Sequence, residues 1–180
     1  MNTRILLLLL TTLTAGIGHS NAAETRYLVK AIEDGDTLVV EMNGQPERVQ
    51  LLGIDAPENT DNPKLVRDVQ RTGLVEKQLL EIGNAAAAHL QQLVKPGDYI
   101  RIDDGKLRRD KYGRFIVIAF GAESRSLNQA MVEDGYAVVL GRYPLPESLK
   151  DGLKAAEVTA KRENRGLWGR YPETAGAWGG

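Results

Sequence analysis

The chain has no cysteine, two histidines, 6% aromatic residues and a formal net charge of −1. Without cysteine there is neither a disulfide framework nor a thiolate metal site. His19 falls in an apolar leader, which leaves His89 alone and makes a histidine-built metal centre a poor expectation. The near-neutral balance argues against a surface that is basic all round, the usual mark of a strong nucleic-acid binder. Attraction to phosphate must then come from local clusters. The obvious cluster is Lys106, Arg108, Arg109, Lys111 and Arg114, interleaved with Asp103, Asp104 and Asp110. Beyond the leader, no run is apolar enough to cross a bilayer.

What is present is an ordinary globular composition, 42% apolar and 26% charged over 180 residues, which suits one domain with its own core. Met1 to Arg4 is a short positive start, Ile5 to Leu10 is solidly apolar, and small residues follow up to Ala22-Ala23. That order predicts a signal peptide over 1–22, cleaved after Ala22 or Ala23, and an exported protein, periplasmic or secreted, with no membrane anchor left. A monomer is expected.

Five short β-runs follow: Tyr27–Ile32, Thr37–Met42, Arg48–Ile54, Tyr99–Ile102 and Phe115–Phe120. Asn43-Gly44 is a hairpin signal, because both residue types tolerate positive φ. Asp103 to Arg114 reads as a charged loop. About three helices accompany the strands: one from Asn84 to Val94, one opened by the Ser126–Gln129 capping box, and one from Glu147 to Asn164. One or two helical pieces precede Gly83, with Gly73 and Gly83 as breaks. Residues 170–180 read as a loose tail. The predicted fold is α+β, a five-stranded barrel of the oligonucleotide/oligosaccharide-binding (OB) type spanning 26–169.

Carboxylates cluster at the strand ends. Asp36 begins the second strand and Asp55 ends the third, and a hairpin centred near Asn43-Gly44 predicts that they lie opposite each other. Two adjacent carboxylates repel unless a cation joins them, and a hard cation such as Ca²⁺ or Mg²⁺ takes oxygen ligands of this kind. Glu58, stiffened by Pro57, is left as a candidate general base for metal-assisted hydrolysis. Either acidic motif alone is as consistent with turn chemistry. The run "RRDKYGRFIVI" at 108–118 places Arg114 where its planar fork can clamp a phosphate, with Tyr112 available for stacking and Lys111 for charge. Its plain alternative is a solvated hairpin loop.

These stretches together resemble the staphylococcal nuclease (thermonuclease) family. The resemblance is carried by "DGDT" at 34–37, "LLGIDAPE" at 51–58, "DKYGR" at 110–114, "LNQAMVEDGYAVV" at 127–139 and "LKAAEVTAKRENRGLWG" at 153–169, in the family's order. It implies a Ca²⁺-dependent phosphodiesterase acting on DNA and RNA. By position, Asp36 and Asp55 resemble the Ca²⁺ ligands, with the backbone carbonyl of Ala56 beside them. Glu58 resembles the general base, Arg114 the arginine that stabilises phosphate charge, and Lys111 and Tyr112 the nucleotide contacts. One position departs: Gln50 stands where the family has a second phosphate-binding arginine. Arg48, two residues away on the same strand face, is a candidate for partial compensation. The departure keeps open a second reading, a weakened or inactive nucleic-acid-binding module. The segment 59–83 looks longer than in the family's type enzyme. It is expected to be a helical insertion without a chemical role, unless Arg67, Arg71 or Lys77 supplies the missing charge.

Overall fold

The structure, a computed structural model, describes residues 25–141 and 144–180. The predicted leader lies outside the described residues. The strands are β1 (Arg26–Ile32), β2 (Thr37–Met42), β3 (Gln45–Leu51), β4 (Ile54–Asp55), β5 (Tyr99–Arg109), β6 (Phe115–Phe120) and β7 (Val138–Val139). The helices are α1 (Pro63–Thr72), α2 (Glu76–Leu93), α3 (Leu127–Glu133), α4 (Glu147–Arg162), α5 (Leu167–Arg170) and α6 (Pro172–Gly179).

Five strands close a barrel in the order β1-β2-β3-β6-β5, as the alternating apolar runs predict. Val29, Leu38, Val40, Val49, Leu51, Ile100, Ile102, Val117 and Ala119 point inward and are buried. Asn43-Gly44 makes the expected hairpin turn with φ of 52° and 74°, pairing Thr37 with Gln50 across β2 and β3.

That register corrects the expected position of Asp55. The residue facing Asp36 across the hairpin is Leu51, whose N–H donates to the Asp36 carbonyl at 2.8 Å. β3 ends there, and the chain turns through Leu52-Gly53, with Gly53 at φ 81° and Leu145 packed where a Cβ would stand. Ile54 and Asp55 then form β4, which pairs with β7 outside the barrel. Buried Asn128 pins the turn, donating to the carbonyls of Leu52 and Val117 and accepting from the Ala119 N–H. The charged loop is also shorter than predicted. β5 runs on to Arg109, because Arg108 and Arg109 pair with Ile116 and Phe115 of β6.

Six α-helices occur among the described residues; the expected three and the helical piece before Gly83 are present, and α5 and α6 add to them. Gly73 ends α1 as a left-handed cap, but Gly83 breaks nothing: α2 runs through it. The tail is not loose. Pro172 starts α6, which buries Ala175 and Trp178 in a second core with Leu65, Leu79, Ile82, Leu167 and Trp168. Arg71 secures it by donating to the Trp178 carbonyl at 2.8 Å. This second core holds α1 beside the acidic end of the barrel. No helix among the described residues is long and apolar enough to cross a membrane.

Candidate active site

A cleft of ≈1100 Å³ opens at that end of the barrel, lined by Asp36, Gln50, Asp55, Glu58, Arg114 and Tyr112, with Arg48 and Lys111 on its walls. The predicted side chains therefore share one cavity. Ala56 is buried behind it, its carbonyl accepting from Lys64 Nζ at 3.2 Å.

Asp36 is 5% exposed and fully engaged. Its Oδ2 accepts from the Ala56 N–H at 3.1 Å, so the chain that turned away after Leu51 comes back to the first aspartate through a backbone amide. Its Oδ1 accepts from the Thr37 hydroxyl at 2.8 Å. Gly35 makes the close approach possible: a Cβ there would lie 2.7 Å from that of Ala56 and 2.8 Å from that of Ala86 on α2. Asp34 orders the turn by accepting from the Asp36 N–H at 2.8 Å.

Arg114 stands across the cleft. Asp110 sets it: the carboxylate accepts from Arg114 Nε at 2.9 Å and from the backbone N–H groups of Tyr112 and Arg114. Arg114 Nη1 donates to Thr37 Oγ1 at 3.2 Å, so one buried threonine links it to Asp36. Tyr112 is exposed, with Lys111 5.0 Å and Arg114 5.5 Å from its ring centre. Lys111, followed by Arg67, draws its phenol below the usual range.

Arg48, on the cleft wall, is paired with Glu33, which lines the same cleft: its Nε donates to both carboxylate oxygens, at 2.9 and 2.7 Å. Gln50 reaches the cleft with its Nε2 3.5 Å from Asp36 Oδ2. Of the basic residues offered by the 59–83 segment, Arg67 lines the cleft, Arg71 binds Asp68 and α6, and Lys77 lies elsewhere.

Two other residues of this segment reach the candidate base. Asn62 caps α1, its Oδ1 accepting from the N–H groups of Lys64 and Leu65, while its Nδ2 donates to Glu58 Oε2 at 2.5 Å. The cap that starts the helix thus also aims the candidate base. Lys64 Nζ lies 3.1 Å from Glu58 Oε1, 3.4 Å from Asp55 Oδ2 and 3.3 Å from Asp68 Oδ2. Burial opposes its charge, but Asp55, Glu58 and Asp68 outweigh it and hold the ammonium well above the usual lysine range. Sequence reasoning missed Thr37, Asp110, Asn62 and Lys64. Thr37 and Asp110 lie within the "DGDT" and "DKYGR" motifs, whereas Asn62 carries only a helix-start pattern, an asparagine before proline and an apolar run.

The donor set suits a hard divalent cation. Asp36, Asp55 and the Ala56 carbonyl offer only oxygens, and the Lys64 ammonium already rests against two of them. No cluster of three His, Asp or Glu side chains fit to hold a metal occurs among the described residues.

Residues 48–170 match the family described as staphylococcal nuclease homologue. The chain belongs to this family. Its relatives include the uncharacterized protein MJ1439 of Methanocaldococcus jannaschii, 32% identical over 78% of this chain and 70% of that protein. The thermonuclease of Staphylococcus intermedius is 27% identical over 80% of this chain and 76% of its own length. The endonuclease YhcR of Bacillus subtilis is 28% identical over 82% of this chain, but the match spans only 12% of YhcR. The family match begins at Arg48, so it includes Gln50, Asp55, Glu58 and Arg114, while Asp36 joins them through the fold.

Two predictions arise here. Gly83 lies where a Cβ would be 2.0 Å from the Glu58 carbonyl oxygen and 2.8 Å from the Asn59 nitrogen. Both are backbone atoms, so neither swings aside. Gly83→Ala is expected to push α2 from the Asp55–Asn59 segment, costing about 1–3 kcal/mol in denaturant melts and shifting the Glu58 side chain off its Asn62 contact. Unchanged stability and unchanged activity would show that the helix yields freely.

The second concerns pH. Burial, then repulsion from Asp34, pushes the Asp36 carboxyl up to about 7. Burial, then repulsion from Asp36, pushes Asp55 up to about 6, although Lys64 pulls the other way. Asp34, raised chiefly by burial, acts in the same sense, and all three hold protons in the fold that they release on unfolding at the same pH. Their contribution is complete below about pH 4, the unfolded carboxylate value, and is lost as pH rises through 6 and 7. Asp110, held low by Arg114 and backbone amides against burial, acts only below that window. Chelated protein should therefore lose thermal stability from pH 4 to 7, by about 1.4 kcal/mol per pH unit for each proton involved. Saturating Ca²⁺ should flatten the curve, since a cation replaces the protons. A chelated melting curve that rises over this range would contradict it.

Proposed function

We propose that this chain is an exported, Ca²⁺-dependent phosphodiesterase that hydrolyses DNA or RNA. The observation that carries the reading is the convergence of Asp36, Asp55 with the Ala56 carbonyl, Glu58 and Arg114 on one cleft. Family membership and the nuclease names of the thermonuclease and YhcR support it. Export rests on the leader pattern of residues 1–22.

Asp36, Asp55 and the Ala56 carbonyl would hold the divalent ion, which when bound polarises the phosphate and neutralises its charge. Glu58, aimed by Asn62, takes the proton of a water attacking phosphorus in line. Arg114, fixed by Asp110 and Thr37, binds the phosphate oxygens and stabilises the charge that grows on the leaving oxygen. Tyr112 offers an exposed ring to a base, and Lys111 and Arg67 offer charge to the flanking phosphates.

The test is incubation of the purified protein with single-stranded DNA or RNA in Ca²⁺ and in excess chelator, beside Asp36→Asn. Cleavage in Ca²⁺ only, lost in the variant, is the expected result. Cleavage untouched by chelator overturns the metal-assisted mechanism. A second reading, binding without turnover, is favoured by Gln50, whose amide carries no charge and faces Asp36. It predicts retention of single strands with no products at any Ca²⁺ concentration.

A further inference from the structure

Lys64 is the least expected group at this site. It stands in the first turn of α1, capped by Asn62, and its stem crosses to the acidic cleft. Its ammonium has four oxygen neighbours between 3.1 and 3.4 Å: Asp55 Oδ2, Glu58 Oε1, Asp68 Oδ2 and the Ala56 carbonyl. The ring of Trp178 lies beneath it, 6.0 Å from the nitrogen. Side-chain exposure is 26%, so it is held by the fold and not loosely resting on the surface. The ligands it touches are those assigned to the divalent ion and to the base.

We propose that Lys64 is a tethered counter-cation of the divalent-ion site: its ammonium offsets the charge of Asp55 and Glu58 and donates to the Ala56 carbonyl, and an incoming divalent ion competes with it for those oxygens. This rests on the metal-assisted reading of the cleft. The physical reason is exclusion. An ammonium 3.4 Å from Asp55 Oδ2 and 3.2 Å from the Ala56 carbonyl occupies the directions a divalent ion would take and repels it, so the two cations compete for the same oxygens. Lys64 thereby sets how much divalent ion is needed to assemble the site. The α1 insertion, anchored by α6 through Arg71 and Trp178, becomes a regulator of metal affinity.

The experiment is calorimetric titration of Ca²⁺ into wild type, Lys64→Met, Lys64→Arg and Arg67→Met, each checked for folding by a melt in chelator. Lys64→Met keeps the apolar stem on Trp178 and removes the charge. It is expected to bind Ca²⁺ about ten- to a hundred-fold more tightly than wild type. Lys64→Arg keeps a cation and stays near wild type. Arg67→Met removes a cation that lines the same cleft, and it should move the affinity far less than Lys64→Met. Wild type and Lys64→Met with the same affinity overturn the proposal while leaving the metal site intact. Equal tightening by Lys64→Met and Arg67→Met also overturns it, since general charge then explains the effect. Should folded wild type and all variants bind no Ca²⁺, the metal reading itself fails and the proposal falls with it. Ca²⁺ binding by Lys64→Met alone is its strongest confirmation.

Discussion

Glu58→Gln is expected to reduce Ca²⁺-dependent phosphodiester cleavage by about 10²–10⁴-fold, the usual contribution of a positioned general base. The substitution removes the proton acceptor with little change of shape. Glutamine has nearly the same shape, and its amide oxygen still accepts from Asn62 Nδ2 or Lys64 Nζ, so one of the two contacts that now hold the carboxylate at 2.5 and 3.1 Å is kept and the other, facing the amide NH2, is lost. The surrounding backbone does not depend on the charge, because Pro57 and the close approach of Gly83 fix the segment. The melting temperature is therefore expected to stay close to that of wild type, and turnover to collapse without a matching rise in KM. A loss below about ten-fold would remove Glu58 as the base and direct attention to a water-only or substrate-assisted route. A large loss accompanied by unfolding would point to a structural role, which is why both readouts belong together.

Gln50→Arg should move the rate the other way, by up to about 10²–10³-fold in kcat, the usual value of one charge-assisted donor at a developing oxyanion. Gln50 sits on β3 between Thr37 of β2 and Ile116 of β6, and its side chain already faces the cleft. An arginine there lies on the same side of the barrel as Arg114 and could meet a phosphate from a second direction. The nearby arginine cannot substitute for it, since both carboxylate oxygens of Glu33 hold the Arg48 fork. Asp36 competes for the new guanidinium, because its Oδ2 is the atom that Gln50 now approaches at 3.5 Å. The gain should accordingly be larger at high Ca²⁺, where the aspartate is committed to the ion. No gain at any Ca²⁺ concentration would mean that Lys111, Arg67 or Arg114 already supplies the charge the glutamine lacks. An inactive wild type beside an active Gln50→Arg would mark a fold that kept the site and lost the reaction.

The sequence by itself determined the barrel and most of the residues of the candidate site. Alternating apolar runs can bury only one face, which places Leu38, Val40, Val49 and Val117 inside and leaves the strand ends to the carboxylates. The residue types needed for cation binding, proton transfer and phosphate contact lie within short motifs, so Asp36, Asp55, Glu58 and Arg114 were legible before any coordinate. Tertiary structure decided what depends on distant partners. It moved Asp55 off the hairpin, because Asn128 on α3 holds the turn after β3 in place. It showed Gly83 to be a contact with the Glu58 backbone within a continuous helix, since a local pattern cannot tell a break from a close approach. It made the last residues a helix, because Trp178 finds a core built from α1 and α2, about a hundred residues earlier in the chain. And it carried Lys64 into the carboxylates, a placement that no spacing announces, because it depends on α6 and α2 clamping α1 against the mouth of the barrel.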